Sequence, residues 1–173
     1  KENFPLEGMS LNLIAEKFLK DNYVKVNKKK VLEIIFKKKE HYKKNSKKIK
    51  IYDGVKKLLV LLKNNKIKLG IVSSSHYDQI IASLNNSFLS MFDTVISGDM
   101  VKKNKPHPEP YFLAASNLNT LNHQCIVFEN APLGILSAQK ANMFCIGICS
   151  TNTRFNLRKS NITIDKFQNI YKN

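Results

Sequence analysis

Along the first fifty positions the apolar residues recur with a helical spacing. They fall at 11, 14, 15, 18 and 19, a one-sided stripe, and Ser10 stands where an N-cap is expected. A second helix is predicted over about 28–47, with Val31, Ile34, Ile35 and Tyr42 on one side. Lys28, Lys29 and Lys30 crowd its first turn and oppose the helix dipole, so this helix depends on packing. Residues 1–49 therefore read as a small helical unit. After Tyr52 the texture changes. Asp53 is expected to cap a helix carrying Val55, Leu58, Leu59 and Leu62 on one face. A short apolar run from Ile67 to Val72 then ends in Ser73-Ser74-Ser75. The pattern continues with a helix facing inward through Tyr77, Ile80, Ile81 and Leu84, and a strand at Thr94–Ser97. A helix at about Pro110–Asn117 precedes a strand at Cys125–Phe128; a helix at Leu133–Asn142 precedes a strand at Phe144–Ile148. Ile162–Ile164 offers a last short strand and Phe167–Tyr171 a last helical turn. Helix and short apolar run alternate at least three times, which predicts parallel β-α-β winding with both sheet faces covered. The expected fold class is α/β: a Rossmann-like parallel sheet core over residues 50–173, preceded by the helical unit of residues 1–49.

The 173 residues, 43% of them apolar, are enough to bury a core. The longest apolar run, Leu58 to Leu62, is far short of a membrane span, so no membrane partner is expected. No signal-peptide pattern opens the chain, and the first residue is Lys1 rather than Met. Cys125, Cys145 and Cys149 are too few and too scattered for a disulfide scaffold; reduced thiols in core positions and a cytoplasmic location are expected. The formal charge of +16 is lopsided: residues 1–70 hold 20 lysines against seven acids. Asparagine is also abundant, and each of the two residue types has a codon made only of A and T, so an AT-rich genome would inflate both without selection for binding. Aromatics and arginines are not interleaved with the lysines as on a nucleic-acid platform. The lysines thus read as solvated helix surface, and nucleic acid is an unlikely partner.

In an open parallel sheet, ligands bind beyond the carboxyl ends of the strands. Three polar groups stand there: Ser73-Ser74-Ser75, Lys105 in Lys-Pro-His-Pro-Glu-Pro, and Glu129-Asn130. Hydroxyls can donate to phosphoryl oxygens, a lysine can neutralise phosphate as a point charge, and paired oxygens can hold Mg²⁺. That set suits phosphoryl transfer, which is mostly positioning and charge stabilisation. Taken singly, each also has a structural reading as a turn, a cap or a solvated side chain. Asp165 in the tail reads as a helix N-cap, and Gly134 as a point of close helix–strand approach.

The order and spacing of these residues resemble the haloacid-dehalogenase superfamily, in its helical-cap branch with β-phosphoglucomutase-like phosphatases. Four stretches carry the resemblance. Leu69-Gly70-Ile71-Val72-Ser73-Ser74-Ser75 is similar to the second motif, and Phe92-Asp93-Thr94-Val95-Ile96-Ser97-Gly98-Asp99 to the approach to the third. Lys105-Pro106-His107-Pro108-Glu109-Pro110-Tyr111 is similar to the third motif itself, and Val127-Phe128-Glu129-Asn130-Ala131-Pro132-Leu133-Gly134 to the fourth. The wording is most similar to pseudouridine-5′-phosphatase-like and sugar-phosphate phosphatase members. The resemblance implies Ser73 and Lys105 as catalytic groups. It implies Ser73, Ser74, Ser75 and Lys105 around the phosphoryl group, and Glu129 and Asn130 as ligands of Mg²⁺. The implied substrate is a small phosphomonoester, such as a sugar or nucleoside monophosphate, handled by a monomer. Two departures stand out. The family nucleophile and acid/base lie in an Asp-x-Asp motif after the first strand, yet no two aspartates here are one residue apart. The expectation is that the chain starts inside the cap, lacks the first strand, and is inactive as given. Asn130 stands where the family usually has Asp, which removes a charge from the metal site. The competing expectations are a catalytically inactive relative that binds a phosphate ligand or a protein, and a basic nucleic-acid-binding module.

Overall fold

In the computed structural model residues 8–45 and 50–171 are described. Ser10 caps α1 (Leu11–Asp21), its Oγ accepting the Leu13 N–H at 3.5 Å. A turn leads to α2 (Lys28–Asn45), where Asn27 Oδ1 accepts the Lys30 N–H. The final part of the helix expected over 28–47 lies outside the described residues. α1 buries Leu11, Ala15 and Leu19 against α2, whereas no described α2 side chain is fully buried.

α3 (Val55–Asn64) begins at Gly54, which takes a left-handed φ of 86°; Asp53 is not its cap. A glycine bears that backbone without the steric cost of a Cβ, so the helix start is set by conformation rather than by a side-chain acceptor. β1 is Gly70–Val72, shorter than the apolar run because Ile67 and Lys68 precede the first parallel pairing. α4 (Tyr77–Ser83) and the single turn α5 (Asn86–Leu89) follow. On α4 only Gln79 and Ile80 are buried; Tyr77 and Ile81, expected to face inward, are exposed. The helix is two turns long and packs on α2, so only one narrow strip of it is covered. β2 (Thr94–Ile96), α6 (Glu109–Asn117), β3 (Ile126–Glu129), α7 (Pro132–Lys140), β4 (Phe144–Ile148) and β5 (Ile162–Ile164) complete the regular elements. Asp165 forms an ion pair with Arg154 at 2.8 Å, in place of the N-cap role expected for it.

All strand pairings are parallel, as the alternation of elements predicted. β1 pairs with β2, and β3 with β4 and β4 with β5. These are two separate sheets among the described residues: neither the free edge of β1 nor that of β3 has a strand partner. One core lies where α7 covers β3 and β4 and meets α6, which packs on β1 and β2; it gathers Tyr111, Val127, Ile135, Cys145 and Leu157. A second gathers Leu59, Leu69 and Phe88 beside β1. All three cysteines are free thiols, and Cys145 is fully buried, its thiol pushed up to about 12 chiefly by desolvation. No helix among the described residues is long and apolar enough to cross a membrane.

Candidate active site

Ser73 continues β1 by donating its N–H to Ile96 O at 2.9 Å, and the strand then breaks into a loop. The Ser73 hydroxyl accepts the Ser75 N–H at 3.1 Å, which curls the three serines over the strand end. Ser74 donates its hydroxyl to Gly8 O at 2.9 Å and so ties the start of the helical unit to this loop.

Lys105 arrives from the loop between β2 and α6. It is only 4% exposed, and its Nζ donates to Val72 O at 3.2 Å and to Glu129 Oε1 at 2.5 Å. One ammonium therefore bridges the C-terminal ends of β1 and β3, across the gap between the two sheets. Glu129 ends β3 and is 8% exposed. Its Oε2 accepts the Ala131 N–H at 2.9 Å, just ahead of α7, and its Oε1 also accepts the Tyr111 hydroxyl at 3.3 Å. A carboxylate at that helix end is favoured by the dipole and by the free N–H groups. The Tyr111 ring lies under Lys105, with Nζ 5.0 Å from its centroid. Burial first, and the neighbouring Glu129 charge second, push the Tyr111 phenol well above its ordinary range, so it remains a proton donor. Gly134 makes the arrangement possible: a Cβ there would stand 1.9 Å from Glu129 Oε1. The close approach expected at Gly134 is thus to the carboxylate itself.

Asn130 turns the other way. Its Nδ2 donates to Thr151 Oγ1 at 2.8 Å and its backbone carbonyl accepts from Asn152 Nδ2 at 2.9 Å. The side-chain NH₂ is thereby committed to Thr151, which leaves Oδ1 as the atom free to act as a ligand. Among the described residues no group of three or more His, Cys, Asp or Glu could hold a metal ion. Glu129 and Asn130 provide adjacent oxygen donors with one protein charge. That fits Mg²⁺, which is commonly held by one or two carboxylates and completed by water and phosphate oxygens.

Ser73, Ser74, Ser75, Lys105, Glu129 and Asn130 all line one cavity of about 500 Å³. Its other walls include Gly8, Met9, Leu11 and Ile14 from the start of the helical unit, and Lys38 from α2. Desolvation lowers the Lys38 ammonium from its ordinary value. Lys38 and Tyr111 were not singled out from sequence. Lys38 had a usable signal: it falls on the stripe of Val31, Ile35 and Tyr42, at helical spacing, inside a run of lysines that otherwise reads as solvated surface. The run Lys37-Lys38-Lys39 is divided by the 100° step of the helix. Lys37 pairs with Glu33 at 2.9 Å, Lys38 lines the cavity, and Lys39 meets His76, the N-cap of α4, at 3.3 Å.

The chain was then compared with known proteins. A family model described as haloacid dehalogenase-like hydrolase matches residues 6–148. The validoxylamine A 7′-phosphate phosphatase of Streptomyces hygroscopicus subsp. limoneus is 37% identical over 113 residues, 65% of this chain and 53% of that protein. A phosphorylated carbohydrates phosphatase of Thermotoga maritima is 33% identical over 112 residues, 62% of this chain and 52% of that protein. The chain thus spans about half the length of these two relatives. Among solved structures, a β-phosphoglucomutase from Clostridium difficile superposes with a TM-score of 0.82 at 27% identity, covering 95% of this chain and 74% of that one. With parallel strands, strand-end polar groups and a family match across most of its length, the chain belongs to the haloacid dehalogenase-like hydrolases.

Proposed function

We propose that this chain provides the phosphate-binding part of a phosphatase acting on a small phosphorylated carbohydrate. The observation that carries the proposal is the single cavity that gathers the Ser73 loop, Lys105, Lys38 and Glu129-Asn130 at the ends of two parallel strands. Two lysines against one carboxylate suit an anion. The hydroxyls of Ser73, Ser74 and Ser75 suit phosphoryl oxygens, and Lys105 supplies a fixed charge beside them. The two relatives, a phosphorylated carbohydrates phosphatase and a validoxylamine A 7′-phosphate phosphatase, support the substrate class.

In this reading Mg²⁺, when bound, would be held by Glu129 and Asn130 and would supply charge stabilisation at the phosphoryl group. The chain's own residues bind and orient: Lys105 holds Glu129 in place, and Tyr111 keeps both from turning away. The nucleophilic carboxylate comes from an Asp-x-Asp strand outside this sequence, which fits between β1 and β3. The free edges of those strands support that placement. The helical unit acts as the cap that closes the cavity and excludes water. The protein works as a monomer on a diffusible ester.

The test separates binding from turnover. Glucose 6-phosphate titrated into the chain with Mg²⁺ should bind, and Ser73→Ala should weaken binding about tenfold, as expected for one lost hydrogen bond to a charged group. Phosphate release should stay at background. Release above that of a Lys105→Met control would show that the chain carries its own nucleophile. Absence of any binding by a folded chain would sink the proposal. A second reading, a non-catalytic phosphate binder, is favoured by the neutral Asn130 side chain. It predicts the same binding with or without Mg²⁺.

A further inference from the structure

Two side-chain polar contacts among the described residues join α2 to α4 and its N-cap. Lys39 Nζ meets His76 Nδ1 at 3.3 Å, and the Tyr42 hydroxyl meets Ser83 Oγ. The direction of both bonds follows from chemistry. Ser83 gives its own proton to Gln79 O at 2.5 Å, so Tyr42 is the donor to Ser83. A lysine ammonium has three donors and no acceptor, so His76 Nδ1 must be the acceptor and the ring proton sits on Nε2. That bond exists only while the imidazole is neutral. A protonated ring has no lone pair at Nδ1, and it would set a second cation against Lys39.

We propose that His76 is a pH-sensitive latch that holds the α1–α2 helix pair on the α/β core. Three features make α2 ready to leave once the latch opens. None of its described side chains is fully buried. Lys28, Lys29 and Lys30 oppose its dipole at the first turn. An undocked helix of this length is marginal in water, so loss of docking becomes loss of helix. The charged and titratable groups around His76 come from each neighbouring element. Lys39 faces it from α2, and Asp99, after β2, lies close enough to interact with it electrostatically. Asp78 lies two residues on in its own helix. Asp99 accepts the Tyr77 N–H at 3.0 Å. The latch is closed while the imidazole is neutral and open once it is protonated. Where the phosphatase reading holds, opening also withdraws Lys38 from the cavity.

Hydrogen exchange tests this without ligand or turnover, so its failure is distinct from failure of the phosphatase reading. Protection factors, already corrected for intrinsic exchange, are measured on the 173-residue chain at pH 8 and pH 5.5. In the unsubstituted chain, α2 should lose about tenfold or more in protection at the lower pH, the equivalent of one hydrogen bond to a charged group. Amides of β3 and β4 should hold. H76Q keeps an acceptor that does not titrate, so it should retain α2 protection at both pH values. K39M should show the low protection at both. Y42F should lower protection equally at both and leave the pH response intact. A loss of α2 protection that survives H76Q, no loss in the unsubstituted chain, or a parallel loss in β3 and β4 would overturn the latch.

Discussion

Six of the nine residues of α7 are buried, including Ile135 and Ala138 with no exposure at all. In α2, twice as long, no described side chain reaches that state. The α/β core is held by apolar burial between helices and parallel strands, and the buried Lys105–Glu129 ion pair sits at the candidate site. The helix pair is held by the Leu11, Ala15 and Leu19 stripe of α1 and by polar contacts to the core. Regions held by few buried apolar contacts open at lower free energy than the global unfolding transition. The cavity lies between a wall held by apolar burial and a wall held largely by polar contacts.

The largest effect should come from Lys105→Met. It leaves Glu129 buried and uncompensated, and breaking a buried pair in this way costs about 3–5 kcal/mol. Adding Glu129→Leu should return much of that loss. Chemical denaturation of the two variants measures both; equal destabilisation of single and double variants would deny that the pair is coupled.

Ile135→Ala against Leu19→Ala tests the contrast between regions. Ile135, fully enclosed under β3 and β4, should cost about 2–5 kcal/mol of global stability, since the cavity cannot collapse. Leu19→Ala should loosen α1 and α2 in hydrogen exchange and move the global midpoint by less than about 1 kcal/mol, because the pair opens sub-globally. Equal global losses would make the two regions one cooperative unit.

The smallest effect concerns acid. Asp93 accepts the Leu69 N–H at 2.7 Å and pairs with Lys63 at 3.0 Å. Those contacts, the backbone bond first, lower its carboxyl below the ordinary value of 3.8. A depressed carboxyl contributes stability above its unfolded value, and that contribution is lost as pH falls through the folded one. Asp93→Asn should therefore flatten the fall in core stability below about pH 4 and leave α2 protection at pH 5.5 unchanged. The proposed His76 latch and Asp93 act through different groups on different regions, the helix pair and the core. A fall in both regions over one window would merge them.

Much of the core was legible because its elements are long enough, and alternate often enough, to show periodicity. The serines and Glu129-Asn130 drew notice because they follow apolar runs whose strand ends converge in a parallel sheet; Lys105, nine residues past β2, reaches the same cavity through its loop. The errors have local causes. Asp53 looks like a cap, but the left-handed Gly54 starts the helix. Tyr77 and Ile81 sit at helical spacing with Ile80 on a helix too short to bury more than a strip. Asp165 found a closer partner in Arg154.

The alternation of apolar runs and the strand-end placement of Ser73, Lys105 and Glu129 determined fold class and site, because both depend on neighbours along the chain. Only the tertiary structure decided that Lys105 joins Val72 O to Glu129 across two unpaired strand edges, and that Tyr111 and Gly134 hold that carboxylate. It also decided that three consecutive lysines serve three different surroundings. Most of those outcomes depend on distances between residues 18 to 37 positions apart. Spacing along the chain does not encode such distances; the packing of helices onto strands sets them.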